Sequence, residues 1–317
     1  MPSFRIRTGI SDDISNHLNG KMKMGIVKHV PTRIQPSKCI CGIPHRFRPN
    51  RLTEPMPSET LRRPIRRADN HSHIIQAGIQ DMVAAARKNN LDEYSITEHV
   101  SQFAELRRSV EFGSVHTSGR MFESREEYIE EFGKIDSRTR GVVKLNRGLE
   151  VDFSPRFLDS VGDFVNRAQW DILLCSVHEF GDGRDVERKP RTRGLTDQRN
   201  RWQTYFQLQT MALESSFVPF KVLAHPVRMS KGTSWIPEEI NEMLTDLSLV
   251  AKKNGKALEL NGNDIDYNPR LVRLLASACS RTRCLVSLGS DAHYPKDVFR
   301  NVDIAIRLVD EFKLELA

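Results

Sequence analysis

The hydrophobic positions of the chain change their pattern near residue 68. Beyond it, short apolar runs of four to six residues alternate with longer amphipathic stretches. The apolar runs predict strands at residues 94–97, 142–145, 171–176, 221–224, 257–260 and 285–288, and a first strand at about residues 67–70 brings the count to seven. The amphipathic stretches predict helices at residues 79–89, 126–135, 156–166, 198–214, 237–254, 269–280 and 298–312. Repeated strand–helix units are typical of a parallel sheet covered by helices, so the fold class is α/β. Seven strands are one fewer than in a standard eightfold barrel.

The first 67 residues differ from the rest of the chain in charge. They carry 14 basic and 4 acidic side chains, whereas the remaining 250 residues carry 34 basic and 37 acidic ones. We therefore divide the chain into a basic, proline-rich, irregular arm over residues 1–67 and a barrel domain over residues 68–317. Such an arm could contact nucleic acid or another anionic surface, and it could equally be a solvated leader.

The composition argues against membrane and secreted proteins. No apolar run approaches the roughly 18 residues of a membrane span, and the first 30 residues lack the unbroken apolar core of a signal peptide. The five cysteines are scattered over a long chain, which favours reduced thiols. We therefore expect a cytoplasmic globular protein.

Six of the ten histidines lie at the carboxyl ends of predicted strands. Their motifs are His71-Ser-His73, Thr97-Glu98-His99, Ser176-Val-His178, His225-Pro226 and Asp291-Ala-His293, and Glu150 follows the third strand in Gly148-Leu-Glu150. Barrel enzymes build their sites at this rim. We expect eight side chains to converge there: His71, His73, His99, Glu150, His178, His225, Asp291 and His293.

The residue types in this set are those that bind transition metals. Residues i and i+2 of an extended segment point the same way, so His71 and His73 can hold one ion together, as can Asp291 and His293. Imidazole combined with carboxylate favours Zn, Mn or Fe over Ca or Mg. A coincidence of core histidines and helix caps is the alternative, and for Asp291 alone it is N-capping of the next segment.

The motifs HSH, TEH, GLEVDF, SVH, AHP and GSDAH, in that order, resemble those of the polymerase and histidinol phosphatase (PHP) superfamily over roughly residues 68–312. Within it, GLEVDF, SVHEF, RNRWQTYFQLQTM and GSDAHYPKDV look most like the PHP-type histidinol-phosphate phosphatases. The resemblance implies a distorted seven-stranded TIM-like barrel that binds two or three divalent metal ions. It implies a first ion held by His71, His73, Glu150 and Asp291, a second bridged by Glu150 and bound by His178 and His225, and a third served by His99 and His293.

One position departs from the family pattern. Relatives place another His or Asp shortly after the HxH motif, where this chain reads His73-Ile-Ile-Gln-Ala-Gly-Ile-Gln. We therefore expect the third ion to be weak or absent unless Gln76 or Asp81 substitutes. Glu98 stands where an Asp is commoner, and we expect it to orient a neighbouring histidine.

The resemblance implies hydrolysis of a small phosphate monoester by metal-activated hydroxide. Its first-choice substrate is L-histidinol phosphate, an intermediate of histidine biosynthesis. Arginine forks bind phosphate oxygens, and the candidate catalytic arginines are Arg228 and Arg201. The alternative substrates are another small phosphate or nucleic acid ends, and nucleic acid is not favoured because the barrel domain is net negative. A metal-stabilised interaction module without activity is the remaining alternative.

Overall fold

The computed structural model describes residues 66–112, 119–139, 142–189, 194–233 and 235–317. Seven strands form one sheet in which each neighbouring pair is parallel and the strand order follows the chain. The strands are β1 (Ala68–Asp69), β2 (Glu93–His99), β3 (Lys144–Asp152), β4 (Ile172–Ser176), β5 (Val222–Leu223), β6 (Ala257–Asn261) and β7 (Val286–Gly289). Nearly all their residues are buried, as expected when helices cover the outside of a parallel barrel and side chains fill its inside.

The last strand returns to the first and nearly closes the barrel. The Asn70 N–H donates to the Leu288 carbonyl at 2.9 Å, and a parallel bridge joins Ser72 to Ala292. All strands therefore end at one common rim. The predicted seven-stranded TIM-like barrel is confirmed.

Helices connect the strands and pack outside them. They are α1 (Ile79–Lys88), α2 (Ala104–Arg107), α3 (Arg125–Thr139), α4 (Leu158–Asn166), α5 (Leu195–Glu214), α6 (Ile240–Lys253), α7 (Gly262–Tyr267), α8 (Pro269–Thr282) and α9 (Val302–Phe312). Helix α8 shows how the sequence sets such bounds. The Asn268 side chain caps its start by accepting the Leu271 N–H at 3.0 Å, Pro269 occupies the first turn, and a left-handed Arg283 ends it.

Strand β3 differs most from its prediction. It was expected at residues 142–145 but continues to Asp152, so Glu150 lies inside the strand and not after it. The apolar run stops at Leu145 because polar side chains take the next positions. These side chains find partners within the barrel, as when Asn146 Nδ2 donates to Ser95 Oγ at 3.1 Å. Helix α6 also begins later than predicted, at Ile240 instead of residue 237.

The arm predicted over residues 1–67 lies outside the described residues, except for its last two. In the described part of the chain, no helix combines the length and the apolar character that crossing a membrane requires.

Candidate metal centre

Eight metal-type side chains meet at the carboxyl ends of six of the seven strands. They are His71 and His73 after β1, His99 at the end of β2, Glu150 in β3, His178 after β4, His225 after β5, and Asp291 and His293 after β7. Seven of them are buried, and His293 has 28% of its side chain accessible. The structure thus brings together all eight residues that the sequence singled out. The cause is topological, because parallel strands end at one rim.

Four donor atoms form the first donor group: Nε2 of His71, Nε2 of His73, Oε2 of Glu150 and Oδ1 of Asp291. The two nitrogens are 3.1 Å apart. The Glu150 oxygen lies 3.4 Å from His71 and 3.5 Å from His73, and the Asp291 oxygen lies 3.8 Å and 3.3 Å from the same two nitrogens. Donors arranged tetrahedrally about 2.1 Å from an ion are spaced by about 3.4 Å, so this group has the size of a four-ligand metal site.

Hydrogen bonding alone does not account for the first donor group. Nδ1 of His71 lies 2.9 Å from Glu259 Oε1, and a proton between them leaves the His71 Nε2 lone pair facing the donor group. Among the described residues, the buried Oε2 of Glu150 makes no hydrogen bond of acceptable geometry. Buried acceptors that face one another require a positive charge between them. The residues present therefore fit a divalent cation.

Glu150 presents its two oxygens to two different sets of nitrogens. Oε1 lies 2.7 Å from Nε2 of His225 and 3.4 Å from Nε2 of His178. These three atoms form the second donor group. Oε2 belongs to the first donor group and also lies 2.7 Å from Nδ1 of His99. A carboxylate placed in this way can link two neighbouring ions.

The third donor group consists of three imidazoles, those of His73, His99 and His293, whose donor atoms lie within 4.8 Å of one another. The rings of His73 and His99 stack with centroids 4.0 Å apart. Gln76 and Asp81 are both exposed, and the structure gives neither a contact with this group. In the described part of the chain the group therefore offers imidazoles alone, and the expectation of a weak or absent third ion stays a prediction.

Burial and charge act in opposite directions on the histidines. Burial disfavours the imidazolium of His73, but Asp291 and other acids outweigh it and raise the pKa of His73 to about 9. Burial is likewise overcome at His178, where Glu150 foremost raises the pKa to about 9. At His99 burial and the neighbouring His73 act together, so its pKa falls well below the usual value. At neutral pH the metal-free site thus contains both protonated and neutral imidazoles.

The two acids of the centre are held in their charged form. Burial favours the neutral acid, yet the surrounding imidazoles, His178 and His71 among them, keep the pKa of Glu150 well below its usual range. Burial is outweighed at Asp291 as well, where Arg228 foremost depresses the pKa. Both acids are therefore carboxylates at neutral pH, as metal ligands must be.

Arg228 lies beside the first donor group. Its Nη2 donates to Asp291 Oδ2 at 2.6 Å and to Asn261 Oδ1 at 3.1 Å. Its Nε donates to Asp264 at 2.5 Å and its Nη1 to Glu187 at 3.2 Å. Arg228 is thus next to the candidate ligands, and one N–H on Nη1 remains available to another acceptor.

Arg201 lies elsewhere, and the structure does not support the role predicted for it. Its guanidinium stacks over the Phe180 ring at 4.6 Å and donates to the carbonyl oxygens of Val186 and Arg188. No contact joins it to the eight residues in the described part of the chain. Its position near the start of a helix does not indicate that its N–H groups bind carbonyl oxygens of the segment before that helix.

Carboxylates stand behind three of the histidines, and the sequence analysis missed two of these acids. Glu98, expected to orient a histidine, has Oε1 at 3.4 Å from Nδ1 of His73. Asp152, which was missed, contacts Nδ1 of His178. Its signal was its place two residues after Glu150, on the same face of β3. Glu259, also missed, is a lone acid in an otherwise apolar strand.

Two of the candidate ligands have left-handed backbones. The φ angle is 33° at His225 and 57° at Asp291. Such angles cost side-chain-bearing residues free energy, and they gather at functional sites where the surrounding structure enforces them. The strain therefore agrees with a functional assignment of this rim.

Known proteins with similar sequences and structures share this architecture. The chain is 22% identical over 193 residues to a histidinol-phosphatase of Lactococcus lactis, covering 58% of this chain and 70% of that protein. It is 24% identical over 250 residues to a probable histidinol-phosphatase of Thermotoga maritima, covering 76% and 88%. The crystal structure of the Lactococcus lactis histidinol phosphate phosphatase, in complex with zinc, L-histidinol and phosphate, superposes with a TM-score of 0.67 at 20% identity, covering 80% and 96%.

A second solved structure, the putative histidinol phosphatase of Listeria monocytogenes, has a TM-score of 0.61 at 20% identity and covers 75% of this chain and 99% of that one. At these identities the structures establish a shared fold. The family model of the PHP domain matches residues 70–263, which include all of the first five strand ends and β6. With the match spanning more than half of the sequence, the chain belongs to the PHP domain family.

Proposed function

We propose that the chain is a metal-dependent phosphomonoesterase that converts L-histidinol phosphate and water into L-histidinol and phosphate. The observation that carries the proposal is the position of Glu150, whose two oxygens face two separate sets of imidazole nitrogens. Such a site suits a pair of ions a few ångströms apart. When bound, divalent ions lower the pKa of water to near neutrality and neutralise phosphate oxygens.

The residues divide the work of holding these ions. His71, His73 and Asp291 would hold one ion together with Oε2 of Glu150, and His178 and His225 would hold the second with Oε1. The third donor group would accept a third ion more weakly, because it offers imidazoles and no carboxylate of its own. Zinc, manganese and iron all suit these ligands.

The substrate assignment rests on similarity and on charge. Three of the similar proteins described above are named as histidinol phosphatases or as probable or putative ones. The barrel domain carries 34 basic and 37 acidic side chains, a balance that does not favour a nucleic acid polymer. Arg228 contacts Asp291 through Nη2, so its positive charge lies beside the first donor group, where it would favour a phosphate.

The test combines metal analysis with substrate comparison. The full chain is loaded separately with zinc, manganese and iron, and metal content is measured by mass spectrometry. Phosphate release is then followed with L-histidinol phosphate, with sugar and nucleoside monophosphates, and with phosphorylated single-stranded DNA. We expect at least two ions per chain, activity that chelation abolishes, and the highest kcat/KM for L-histidinol phosphate.

The same measurements can also contradict the proposed function. A chain that binds no ion, or that keeps its activity after chelation, would exclude the metal-dependent reaction. Equal or better turnover of another phosphate, or of DNA ends, would leave the phosphoesterase class intact and exclude histidinol phosphate as the substrate.

A further inference from the structure

Strand β6 is the one strand that contributes none of the eight candidate ligands. Its carboxyl end nevertheless reaches the centre through Glu259, which is 1% exposed. Oε1 of Glu259 lies 2.9 Å from Nδ1 of His71, and Oε2 accepts the backbone N–H of His225 at 2.8 Å. One carboxylate thus contacts a candidate ligand from β1 and another from β5.

Both neighbours of Oε2 in this carboxylate can only donate. The backbone N–H of His225 has no acceptor function, and Asn261 Nδ2 donates to Oε2 at 3.0 Å. With both of these donors on Oε2, Oε1 is left to accept from Nδ1 of His71. That fixes the His71 tautomer with its proton on Nδ1 and its lone pair on Nε2, the atom that belongs to the first donor group.

The barrel provides space for this carboxylate by leaving out a side chain on the adjacent strand. A Cβ atom at Gly289 in β7 would lie 2.4 Å from Oε1 of Glu259 and 2.4 Å from Cβ of His71. Both atoms are buried and fixed by their hydrogen bonds or backbone. Gly289 therefore permits the close approach of Glu259 to His71.

The same strand end also reaches a third ligand. Oδ1 of Asn261 accepts from Nη2 of Arg228 at 3.1 Å, and that Nη2 also donates to Asp291. Asn261 is itself fixed through its donation to Glu259. The end of β6 therefore forms a buried network behind ligands from β1, β5 and β7.

We propose that Glu259 is a positioning residue that sets the tautomer of His71 and the backbone of His225, so that metal binding depends on both of its acceptor oxygens. The inference rests on the proposed metal-dependent function. It predicts that an amide cannot replace the acid. Glutamine has one acceptor oxygen, so its NH2 would face either the His225 N–H or the His71 Nδ1–H. If it faced His71, the ring would avoid the clash of two donors by moving its proton from Nδ1 to Nε2, the ligating nitrogen.

The test is the Glu259→Gln variant of the full chain, with zinc affinity measured by competition against a chromogenic chelator and normalised to the folded fraction. Loss of a carboxylate behind a ligating histidine typically weakens metal binding by about 10- to 100-fold, and we expect a loss in this range. The matched control is Glu93→Gln, the same acid-to-amide change at the other end of the barrel. Glu93 is 17% exposed and accepts from the side chains of Lys144, Asn146 and Arg66, so its amide meets a similar conflict without touching a candidate ligand.

We expect Glu93→Gln to lose some stability but to keep the zinc affinity of its folded fraction. Unchanged affinity in Glu259→Gln, or equal losses in the two variants, would overturn the inference because the loss would then be structural. Absence of zinc binding in the unaltered chain would instead refute the proposed function, so the two failures are distinguishable.

A second measurement needs no variant of Glu259. Nitrogen-15 spectra of the imidazoles in the unaltered, zinc-loaded chain report which ring nitrogen carries the proton. The His71 signals are identified by their loss in His71→Asn. We expect the proton on Nδ1 and zinc on Nε2, and the opposite tautomer would overturn the inference even if Glu259→Gln failed to fold.

Discussion

The two ends of the barrel differ in how they treat charge. At the amino end of β2, Glu93 pairs with Lys144 at 2.8 Å and with Arg66 at 3.3 Å, and both cations are largely exposed. At the carboxyl end of β3, Glu150 is fully buried among imidazoles, with no lysine or arginine among its contacts in the described residues. The first end is neutralised by lysine and arginine at the surface, whereas the charge at the second end lies among buried imidazoles that are also candidate metal ligands.

Cavity size alone would identify the amino end of the barrel as the functional one. A cavity of about 1110 Å³ opens at the amino end, lined by residues such as Lys144, Val222 and Leu316. At the carboxyl end, a cavity lined by described residues beside His178 and Asp152 holds about 10 Å³. The chemistry of the donors, and not the volume, identifies the site. A cavity near a strand end is a functional site only if its side chains can bind a ligand or react with it.

The strongest test of this contrast is Glu150→Gln. The amide keeps the size of the side chain but removes the charge that both donor groups share, so we expect phosphatase activity to fall roughly 10³-fold and metal content to drop. Phosphate release and metal analysis on the folded variant measure both effects. Activity within a few fold of the unaltered chain would contradict the metal assignment.

The two arginines provide the next comparison. Arg228→Ala leaves Asp264 and Asp291 buried without their cation, so we expect a loss of about 3–5 kcal/mol in the free energy of unfolding of the metal-free protein. Arg201→Ala removes hydrogen bonds to two carbonyl groups of the non-helical segment before the helix, and we expect a loss of about 1 kcal/mol. Urea unfolding measures both losses. Equal losses would indicate that Arg228 is not a buried counter-ion of the centre.

The pH dependence of the metal-free protein separates the two ends further. His73 and His178 have folded-state pKa values of about 9, above their usual value, so the stability they contribute is complete below about pH 6.5. We expect this contribution to be lost as the pH rises from 6.5 to 9, seen as a falling Tm of the chelated protein. Zinc affinity should rise over the same interval, because ligation requires neutral imidazoles.

The amino end should not contribute to that pH profile. Lys144 and Arg66 depress the pKa of Glu93, so the stability from these pairs is lost only in acid, well below pH 6.5. A Tm that is flat from pH 6.5 to 9 in the chelated protein would contradict the raised histidine pKa values.

The smallest effect is expected at the amino end itself. Lys144→Ala removes an ion pair whose lysine is 63% exposed, so we expect at most about 1 kcal/mol of lost stability and unchanged phosphatase activity. Urea unfolding and phosphate release provide the check. A large loss of activity would show that the cavity at this end takes part in the reaction after all.

Much of this fold could be predicted because its strands are short, buried and apolar. Six of the seven strands were located from apolar runs, the parallel sheet followed from the strand–helix repeat, and the barrel followed from the family resemblance. The prediction failed at β3, where Asn146 and Arg147 break the apolar run although the strand continues through them. Backbone pairing with β2 and β4 sustains that strand, and such pairing cannot be read from a single segment.

The candidate site was predictable to the extent that its chemistry repeats at strand ends. The eight converging residues were found because histidine and aspartate are unusual after apolar runs. Glu259 was missed because its partner His71 lies 188 positions away and nothing local marks the contact. The role of Arg201 stays a prediction, because an arginine near a helix start looks the same in the sequence whether it faces a phosphate or a backbone carbonyl.

The left-handed backbones of His225 and Asp291 affect the stability of the folded protein as well as its function. Strain and buried carboxylates both oppose folding in the absence of ions, and they are offset when ions bind. An ion present at 100 times its dissociation constant stabilises the folded state by about 2.7 kcal/mol. The amount of folded protein, and its resistance to proteolysis, should therefore follow the supply of metal in its surroundings.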